Sequence, residues 1–554
     1  MLETTTTTWT APGPGPWQQD SAHNPVAQSR LMQQVYPEGF NRGFTETFAR
    51  YGVLLDRLAM GVVNGFTYHQ PQPFDMPGPD GPKDPAWIGA EIGRRAGLAE
   101  AAFRDRIWRE ALRLWDDELK PASMQRHLEL GSVDLTSLDD AALTAHFHAC
   151  AEHVAAMVYQ HHRFNSDALV PIGDFLLHAA GWAHRDPISL FPVFDGYSPV
   201  SNVSPPEMQA ALAALRADAE ALDLLLSDTP AADVIAGLRA RLPEVDAYVA
   251  AVHFRVLEGF DITNPTVGER PESLVGRMRT ALGVDTSSAT RRSDQFAADL
   301  RAAVPAEHQA EFDALLAEAR LVYRLRDERG LFSDISAIGL TRLCVLEIGH
   351  RLQAAGRLFA ADDLLDADVD EIDALMHGAN APTAGELRAR AEQRAARTLA
   401  GAPRHLGPPA PPPPPVDMLP PSLARVMSAL GFTIEGVLGQ LDDAQGDDAT
   451  IVGIAGSPGV YEGVARLVRS VDDLFSLEPG DVLVAPTTGE AFNSMLHLVG
   501  AIVTDHGSFA SHAAIVSREM GSPAVVGTVD GTRRIETGMR LRVDGTAGTV
   551  TILG

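Results

Sequence analysis

Hydrophobic positions recur with helical spacing along most of the chain up to residue 400. Apolar side chains at i, i+3, i+4 and i+7 are typical of helices that bury one face. Strand-like alternation is scarce in the same region, so the pattern predicts one large, mainly α-helical domain over residues 21–400. Its helices are predicted at 43–63, 86–120, 137–165, 206–227, 230–258, 289–329, 333–356 and 383–400.

The pattern changes after residue 400. Residues 401–445 are predicted as a Pro-rich linker with a short helix, because the run PPAPPPPPVDMLPP fits neither a helix nor a central strand. In residues 446–554, apolar runs such as GDVLVAPTT and GAIVTD alternate with Asp-Gly turns, which predicts a small α/β domain. Residues 1–20 are rich in Thr, Pro and Gly, and we expect a disordered N-terminus.

Composition narrows the classes of function. A chain of 554 residues should hold two to four domains. The net charge of −28 argues against binding to nucleic acid or to an anionic membrane surface. Two widely separated cysteines, Cys150 and Cys344, make a disulfide framework improbable. The sequence shows neither a membrane span nor a signal peptide, so we predict a cytoplasmic protein.

One stretch near the C-terminus combines a strand, a loop and a helix around a histidine. Apolar residues 499–503 predict a buried strand, Gly507 and Ser508 break it, and helical spacing begins at Ser511. His512 therefore lies in the first turn of a helix, where free N–H groups and the helix dipole favour an anion. A neutral imidazole is also a good nucleophile near pH 7. This context favours a histidine that carries a phosphoryl group over a structural core histidine.

The stretch TDHGSFASHAAIVSREMGSPAVVG (504–527) resembles the phosphohistidine motif of the PEP-utilising, or dikinase, mobile-domain family. The resemblance covers about the last 100 residues and implies a swivelling α/β domain. It implies that His512 is the phosphoryl carrier and that Thr504, Gly507, Ser508 and Ser511 form the loop around it. The family usually has a second glycine where Ser508 stands, and a serine there can still hydrogen-bond a phosphate.

Three segments of the helical region are similar to the substrate domain of the rifampicin phosphotransferase family. They are VVNGFTYHQ (62–70), HFRVLEGFDITNPTVGERPESL (253–274) and LVYRLRDERGLFSD (321–334). The third matches a family Arg-Glu pair at Arg326 and Asp327, while the family's lysine position falls on Gly330, with Arg329 as a substitute. The domain order also resembles the histidine-bearing subunit of two-component aryl phosphate synthases.

The chain shows no P-loop, nothing like an ATP-grasp domain and no (β/α)8 barrel. The resemblance therefore implies that ATP and Mg²⁺ bind a separate ATP-grasp subunit and that this chain alone binds no cofactor. It implies a dikinase-type phosphotransferase that relays a phosphoryl group through His512 to the hydroxyl of a small apolar acceptor, such as a phenol or alkylphenol.

Several polar side chains of the helical region are candidates for the acceptor site. A base must take the acceptor's proton and cations must neutralise the transferring group. Structural polar residues and solvated helix faces are the competing interpretations. The candidate bases are His253, His178 and Asp327, and the candidate phosphate-binding cations are Arg255, Arg326 and Arg329.

A metal site is the other chemistry that the helical region suggests. His146, Cys150 and His153 recur at i, i+4 and i+7 on one predicted helix face, a spacing that zinc ligands can use. The sequence supplies no evident fourth ligand and no Cys-x-x-Cys pair. We therefore interpret the three as an ordinary helix face and predict no metal site.

Three alternatives to the relay remain open at this point. The chain could be a non-catalytic ligand-binding or regulatory protein with a phosphorylatable histidine domain. It could be a component of a pyruvate- or PEP-type dikinase, although the domain order argues against pyruvate as the acceptor. It could also ligate its substrate through an acyl or phosphoryl intermediate.

Overall fold

The helices of the first 438 residues form one body. The computed structural model describes residues 8–21, 23–77, 81–199, 206–283, 287–410, 412, 414–438, 445–469, 472–489, 492 and 495–553. None of the helices among these residues is long and apolar enough to cross a membrane. The helices of the body are α1 (Arg30–Tyr51), α2 (Pro85–Asp105), α3 (Trp108–Leu114), α4 (Lys120–Gly131), α5 (Asp140–Arg163), α6 (Asn165–Ala183), α7 (Pro206–Ala217), α8 (Ala219–Leu226), α9 (Ala231–Arg241), α10 (Pro243–Val252), α11 (Pro271–Gly283), α12 (Ser287–Ala303), α13 (Gln309–Tyr323), α14 (Leu325–Leu331), α15 (Asp334–Ala354), α16 (Val369–Met376), α17 (Ala384–Ala396) and α18 (Pro421–Leu438).

The first long helix lies upstream of its predicted position. The Ser29 hydroxyl caps α1 by accepting a hydrogen bond from the Met32 N–H, and Gly52 ends the helix in a left-handed conformation. The predicted helix at 43–63 is wrong beyond this point, because the chain continues as a strand. Asn64 and Gly65 have φ values of 53° and 88°. Positive φ at both positions makes them a tight hairpin turn and not the end of a helix.

The body also contains a small antiparallel sheet that the sequence did not predict. Its strands lie in the order β2-β3-β1-β4. Trp17 in β1 is buried, so the prediction of disorder is wrong for residues 8–20, and residues 1–7 lie outside the described residues. The last strand ties the start of the Pro-rich segment to the N-terminal strand. The strands are β1 (Trp17–Gln19), β2 (Leu55–Val63), β3 (Phe66–Pro73) and β4 (His405–Leu406).

The last helix of the body, α18, packs against α2 and α6. A Cβ atom added to Gly173 would lie 2.1 Å from the carbonyl oxygen of Ala429, so only a glycine lets the two helices approach this closely. Arg425 donates to both carboxylate oxygens of Asp174, at 2.7 and 2.6 Å. These contacts fix α18 as part of the body.

The predicted linker at 401–445 is therefore not a single unit. It begins in the sheet of the body at β4 and continues through the Pro-rich run, and its predicted helix is α18. Residues 439–444, which follow α18, lie outside the described part of the chain. The swivelling that the linker was expected to permit stays a prediction.

The C-terminal residues form the predicted α/β domain. Its nine strands lie in the order β5-β6-β13-β12-β8-β9-β10-β11-β7, and β8 to β11 pair in parallel. The strands are β5 (Gln445–Gly446), β6 (Thr450–Val452), β7 (Ile454–Ser457), β8 (Val460–Leu467), β9 (Val482–Ala485), β10 (Ala501–Thr504), β11 (Ala524–Val526), β12 (Arg540–Asp544) and β13 (Thr549–Ile552), and the helices are α19 (His512–Met520) and α20 (Gly531–Arg534).

The α/β domain is docked on the helical body. The buried Phe509 ring lies 5.4 Å from that of Phe432 on α18 and 5.3 Å from that of Phe191, centroid to centroid. Arg292 of α12 donates to the carbonyl oxygen of Glu519 at 2.7 Å. The docking brings the start of α19 against the body.

Candidate functional site

His512 is the first residue of α19, and β10 and a short loop place it there. The strand ends at Thr504, and Gly507 follows with a φ of 120°. A Cβ atom added to Gly507 would lie 2.8 Å from the Ser511 hydroxyl, so both the backbone conformation and the space require glycine. Ser511 precedes the helix without capping it, which leaves its hydroxyl available.

The loop leaves three buried polar atoms without hydrogen-bond partners among the described residues. They are the Thr504 hydroxyl, the Ser511 hydroxyl and Nε2 of His512. The Thr488 hydroxyl lies 2.9 Å from Nδ1 of His512 and so fixes the orientation of the ring. Since buried polar groups are ordinarily satisfied, the unpartnered atoms point to an anion that binds between them.

A cavity of about 290 Å³ separates His512 from the body, and we call it the His512 cavity. The Arg326 guanidinium lies 4.7 Å from the centroid of the Tyr323 ring and donates to Asp327 at 2.8 Å. Nη1 of Arg326 is buried and has no partner in the described part of the chain. The cavity can therefore offer a cationic donor to an anion on His512. Its lining includes Ser511, His512 and Thr488 from the α/β domain and Arg326, Asp327 and Arg329 from α14.

The surroundings of His512 keep its ring neutral. Burial, together with the charges of Arg326 and Arg277 and against that of Asp327, lowers the pKa of His512 from 6.5 to about 4. Burial and the neighbouring Arg326 lower the pKa of Arg329 to about 10, which leaves this guanidinium charged at neutral pH. The site thus places at least one permanent cation opposite a neutral nucleophile.

A second, smaller pocket of about 80 Å³ continues from the His512 cavity into the body, and we call it the aromatic pocket. His23, His161, Phe260 and Arg329 line both spaces. The remaining walls are mostly apolar, and they include Tyr36, Phe40, Phe44, Leu58 and Met60. A small apolar compound in this pocket would have its polar end directed towards the His512 cavity.

Two adjacent histidines of α5, His161 and His162, line the aromatic pocket, and His161 also lines the His512 cavity. Nδ1 of His161 lies 2.8 Å from a carboxylate oxygen of Asp334 at the start of α15, and the Tyr36 hydroxyl donates to the same oxygen at 3.4 Å. Burial raises the pKa of Asp334 to about 8 and lowers the pKa of His161 and of His162 well below 6.5. A buried pair whose proton is held near neutral pH is suited to acid–base chemistry.

An interdomain cleft of about 890 Å³ adjoins the His512 cavity. Glu258 and Phe260 line both of them. Burial raises the pKa of Glu258 to about 7. The cleft therefore opens a route to His512 past a second carboxyl group that titrates near neutral pH.

The structure separates the predicted acceptor-site residues into two groups. Arg326, Asp327 and Arg329 line the His512 cavity. The other three do not line it: His253 contacts the carbonyl oxygen of Ala250, Arg255 lies over the Phe332 ring, and His178 contacts Asp174. The polar side chains of His253, Arg255 and His178 are thus held by local contacts within the body.

Sequence reasoning missed Thr488, Glu258, His161 and Asp334. The paired histidines at 161 and 162 near the end of a predicted helix were the one visible signal. Thr488 and Glu258 carry no motif of their own. Their role depends on the docking of two domains, which periodicity does not reveal.

The three residues that were considered as zinc ligands do not form one group of donor atoms. The His153 ring packs at 5.0 Å against that of His127, away from the others. His146 and Cys150 instead gather with Cys344 of α15, with their donor atoms within 4.8 Å of one another. His161, His162 and Asp334 form a second such group, in which the contact between His161 and Asp334 is a hydrogen-bonded pair. The first group supplies three donors from two packed helices.

Comparison with known proteins identifies the C-terminal part of the chain. Residues 477–548 match the family described as PEP-utilising enzyme, mobile domain. The chain is 30% identical over 57% of its length to the chondramide synthase cmdD of Chondromyces crocatus. It is 30% identical over 44% of its length to the uncharacterised phosphotransferase YvkC of Bacillus subtilis, and 28% identical over 58% to a rifampicin phosphotransferase of Streptomyces sviceus. The matched segments span only 8%, 27% and 35% of these three relatives.

Proposed function

We propose that this chain, whose C-terminal domain is a mobile domain of the PEP-utilising enzymes, is a phosphotransferase component that carries a phosphoryl group on His512. The observation that carries the proposal is the neutral His512 ring, whose Nε2 has no partner in the described part of the chain and lies beside a cavity lined by Arg326 and Arg329. Since Nε2 of the buried His127 and His153 also lacks a partner among the described residues, the cation-lined cavity is what distinguishes His512 from a structural histidine of the core.

In the loading step, the lone pair of Nε2 attacks the β phosphorus of ATP, and the bond to the oxygen of the α phosphate breaks and releases AMP. Water then takes the γ phosphate as inorganic phosphate, so that the β phosphoryl group alone remains on Nε2. Nδ1 keeps its proton and donates a hydrogen bond to the Thr488 hydroxyl oxygen. We place ATP and Mg²⁺ on a separate ATP-grasp subunit, because these 554 residues contain no P-loop and nothing resembling an ATP-grasp domain. The α/β domain would then have to leave the body to reach the donor and return.

In the transfer step, the α/β domain is docked as the structure shows it. The acceptor oxygen attacks phosphorus in line, the N–P bond breaks, and its electron pair returns to Nε2 of His512. Arg326 and Arg329 lie where they would neutralise the charge of the transferring group. We propose a small apolar alcohol of the phenol or alkylphenol class as the acceptor, since the adjoining pocket is lined by aromatic and aliphatic side chains.

ATP labelled separately in the β and γ phosphates tests the relay. With a candidate ATP-grasp subunit present, we expect acid-labile label from the β phosphate on this chain, at close to one equivalent. Omitting the ATP-grasp subunit should remove the label, and a chain carrying His377→Ala, an exposed histidine, should label normally.

Two other results would change the proposal. Labelling without the second subunit would place a nucleotide site within this chain. Labelling of His512 that is never discharged to any hydroxyl compound would favour a regulatory protein with a phosphorylatable histidine. A competent ATP-grasp subunit that leaves the chain unlabelled contradicts the relay altogether.

The reactivity of His512 in the loading step should depend little on pH. Between about pH 5 and about pH 8 we expect His512 to stay almost fully in its reactive neutral form towards phosphoramidate, because its imidazole has a pKa of about 4. The measurement is the initial rate by ³¹P NMR, divided by the rate for free N-acetylhistidine to remove the pH dependence of the reagent. We expect this normalised rate to rise on acidification, because the free imidazole protonates and His512 does not. A flat normalised rate would mean that His512 titrates like a free imidazole.

A further inference from the structure

We propose that His161 takes the proton of the acceptor hydroxyl, that Asp334 positions its ring, and that an aromatic acceptor occupies the aromatic pocket. This inference rests on the proposed function and adds to it the residue that activates the acceptor. Its chemistry balances: the O–H proton passes to Nε2 of His161 as the P–O bond forms and the N–P bond of His512 breaks.

Two histidines, His23 and His161, line both the His512 cavity and the aromatic pocket. Against the effect of burial, the contact with Asp20 raises the pKa of His23 and favours its imidazolium, which cannot accept a proton, whereas burial keeps the ring of His161 neutral. His161 can therefore touch, as a neutral base, a hydroxyl that points from one space into the other.

Glu258 lines the His512 cavity and the interdomain cleft but not the aromatic pocket. Asp327 accepts hydrogen bonds from Arg326 and Ser198, which occupy its carboxylate.

Asp334 determines which nitrogen of His161 is available. Its carboxylate lies 2.8 Å from Nδ1, which leaves Nε2 to accept a proton from the acceptor. The Asp334 side chain is fully buried and also accepts from the Tyr36 hydroxyl. Asp334 is therefore a positioning residue that stabilises the imidazolium as it forms.

A glycine of α14 opens the route to the His161 ring. Gly330 lines the His512 cavity, and a Cβ atom added to it would lie 3.3 Å from Cε1 of His161. A long side chain at this position would fill the space between His161 and the cavity. With glycine here, the imidazole edge can reach a bound hydroxyl.

The aromatic pocket fits the ring of such an acceptor. Its volume of about 80 Å³ limits the occupant to roughly a single ring. Phe40 packs against Phe44 at 4.7 Å and against the His162 ring at 4.4 Å, centroid to centroid, so rigid aromatic faces form the walls. A flat aromatic alcohol meets these walls with stacked or edge-on contacts.

The test separates loading from transfer. The full chain is first loaded on His512 with phosphoramidate, excess reagent is removed, and phenol is added. Phenyl phosphate formation then reports the transfer step alone. For His161→Gln we expect normal loading and a transfer to phenol that is about 100-fold slower or more, the usual contribution of a general base.

Acceptors of different acidity distinguish a base from a structural residue. A nitrophenol that is already ionised at neutral pH needs no base, so His161→Gln should slow its phosphorylation far less than that of phenol. Glu258→Gln, which removes the cavity carboxyl that is not paired with Arg326, should leave the ratio of the two acceptors unchanged. Equal losses for both acceptors in His161→Gln, or full transfer to phenol, would overturn the assignment.

The pH profile tests Asp334. The pKa of the Asp334 carboxyl is about 8, so the deprotonated form of the pair of Asp334 and His161 increases as pH rises through this value. The rate of transfer to phenol should therefore rise over the same pH range. In Asp334→Asn this rise should disappear while loading is retained. A rise that survives in Asp334→Asn contradicts the positioning role. The groups that face Asp334 are Tyr36 on α1, His161 and His162 on α5, and Arg329 on α14, and His23, His69 and Asp20 line the adjoining pocket.

Loading of the wild-type chain also separates the two proposals. If His512 does not load at all, the proposed function fails before the transfer step is reached. If it loads and transfers to phenol with His161 intact and with His161→Gln alike, the function stands and the assignment of His161 is wrong. A transfer that is abolished by a chelator and restored by Zn²⁺ would also overturn the proton-acceptor role, because a bound ion would then activate the acceptor.

Discussion

Replacing His512 with alanine is expected to remove phosphoryl transfer to the limit of detection, by at least about 10³-fold. The reason is that the imidazole supplies the lone pair that binds phosphorus, and the other histidine of the loop, His506, does not line the His512 cavity. The measurement is acid-labile ³²P on the purified chain after incubation with ATP and an ATP-grasp subunit. His512→Ala should also abolish product formation from a hydroxyl acceptor.

Folding is the main control on this prediction. The Nε2 atom of His512 has no partner among the residues that the structure describes, so its loss leaves no other buried polar group newly unsatisfied except the Thr488 hydroxyl. We expect the circular dichroism spectrum and thermal midpoint to change little. Label that persists in His512→Ala would mean that another of the 18 histidines is the carrier.

Replacing Arg326 with alanine is expected to slow transfer to the acceptor about 10²- to 10³-fold, while loading changes by less than about threefold. The guanidinium lies across the His512 cavity with one nitrogen unpartnered in the described chain, where charge develops only when the α/β domain is docked. The measurement is single-turnover decay of phospho-His512 in the presence of phenol. Arg326→Lys should recover little, because lysine cannot present the same planar pair of donors.

The matched control for Arg326 is Arg301→Ala. Arg301 is a partly exposed arginine of α12 that pairs with Asp313 outside the site, and its loss should leave both steps unchanged. A variant Arg326→Ala that loads slowly but transfers normally would reverse the assignment, since the cation would then serve the donor side. Equal loss of both steps would indicate damage to the docked arrangement.

The helical body was predictable from sequence because its helices bury continuous apolar stripes. The predicted helix ends were wrong where a local sequence signal is compatible with two different structures. Asn64-Gly65 can end a helix or turn a hairpin, and the choice follows from the pairing of β2 with β3, which lie on the two sides of the turn. Pro243 is similar: it splits the predicted helix 230–258 into α9 and α10, as its missing N–H requires.

The residues of the candidate site were likewise predictable only where the sequence signal was local. His512 and its loop lie within a few residues of one another, so spacing alone placed them on a strand, a loop and a helix. The body side of the site is assembled from residues far apart in the chain: His161, Glu258 and Arg326 meet only after the helices pack and the domains dock. Single-sequence patterns contain no information on such contacts, which explains why only the α14 residues were anticipated.

The contact of Phe509 with Phe432 and Phe191 bears on turnover rate as much as on geometry. A buried phenylalanine contributes about 1.5–3 kcal/mol to docking, which alone corresponds to only a modest affinity. A covalent connection holds the partners at millimolar effective concentration, so a modest affinity is enough to populate the bound arrangement. Much tighter docking would trap the carrier at the acceptor and make its release the slowest event of each cycle. We expect this aromatic cluster to keep the affinity of the α/β domain for the body near an optimum. Both weaker and stronger contacts should lower the steady-state rate of phosphoryl transfer.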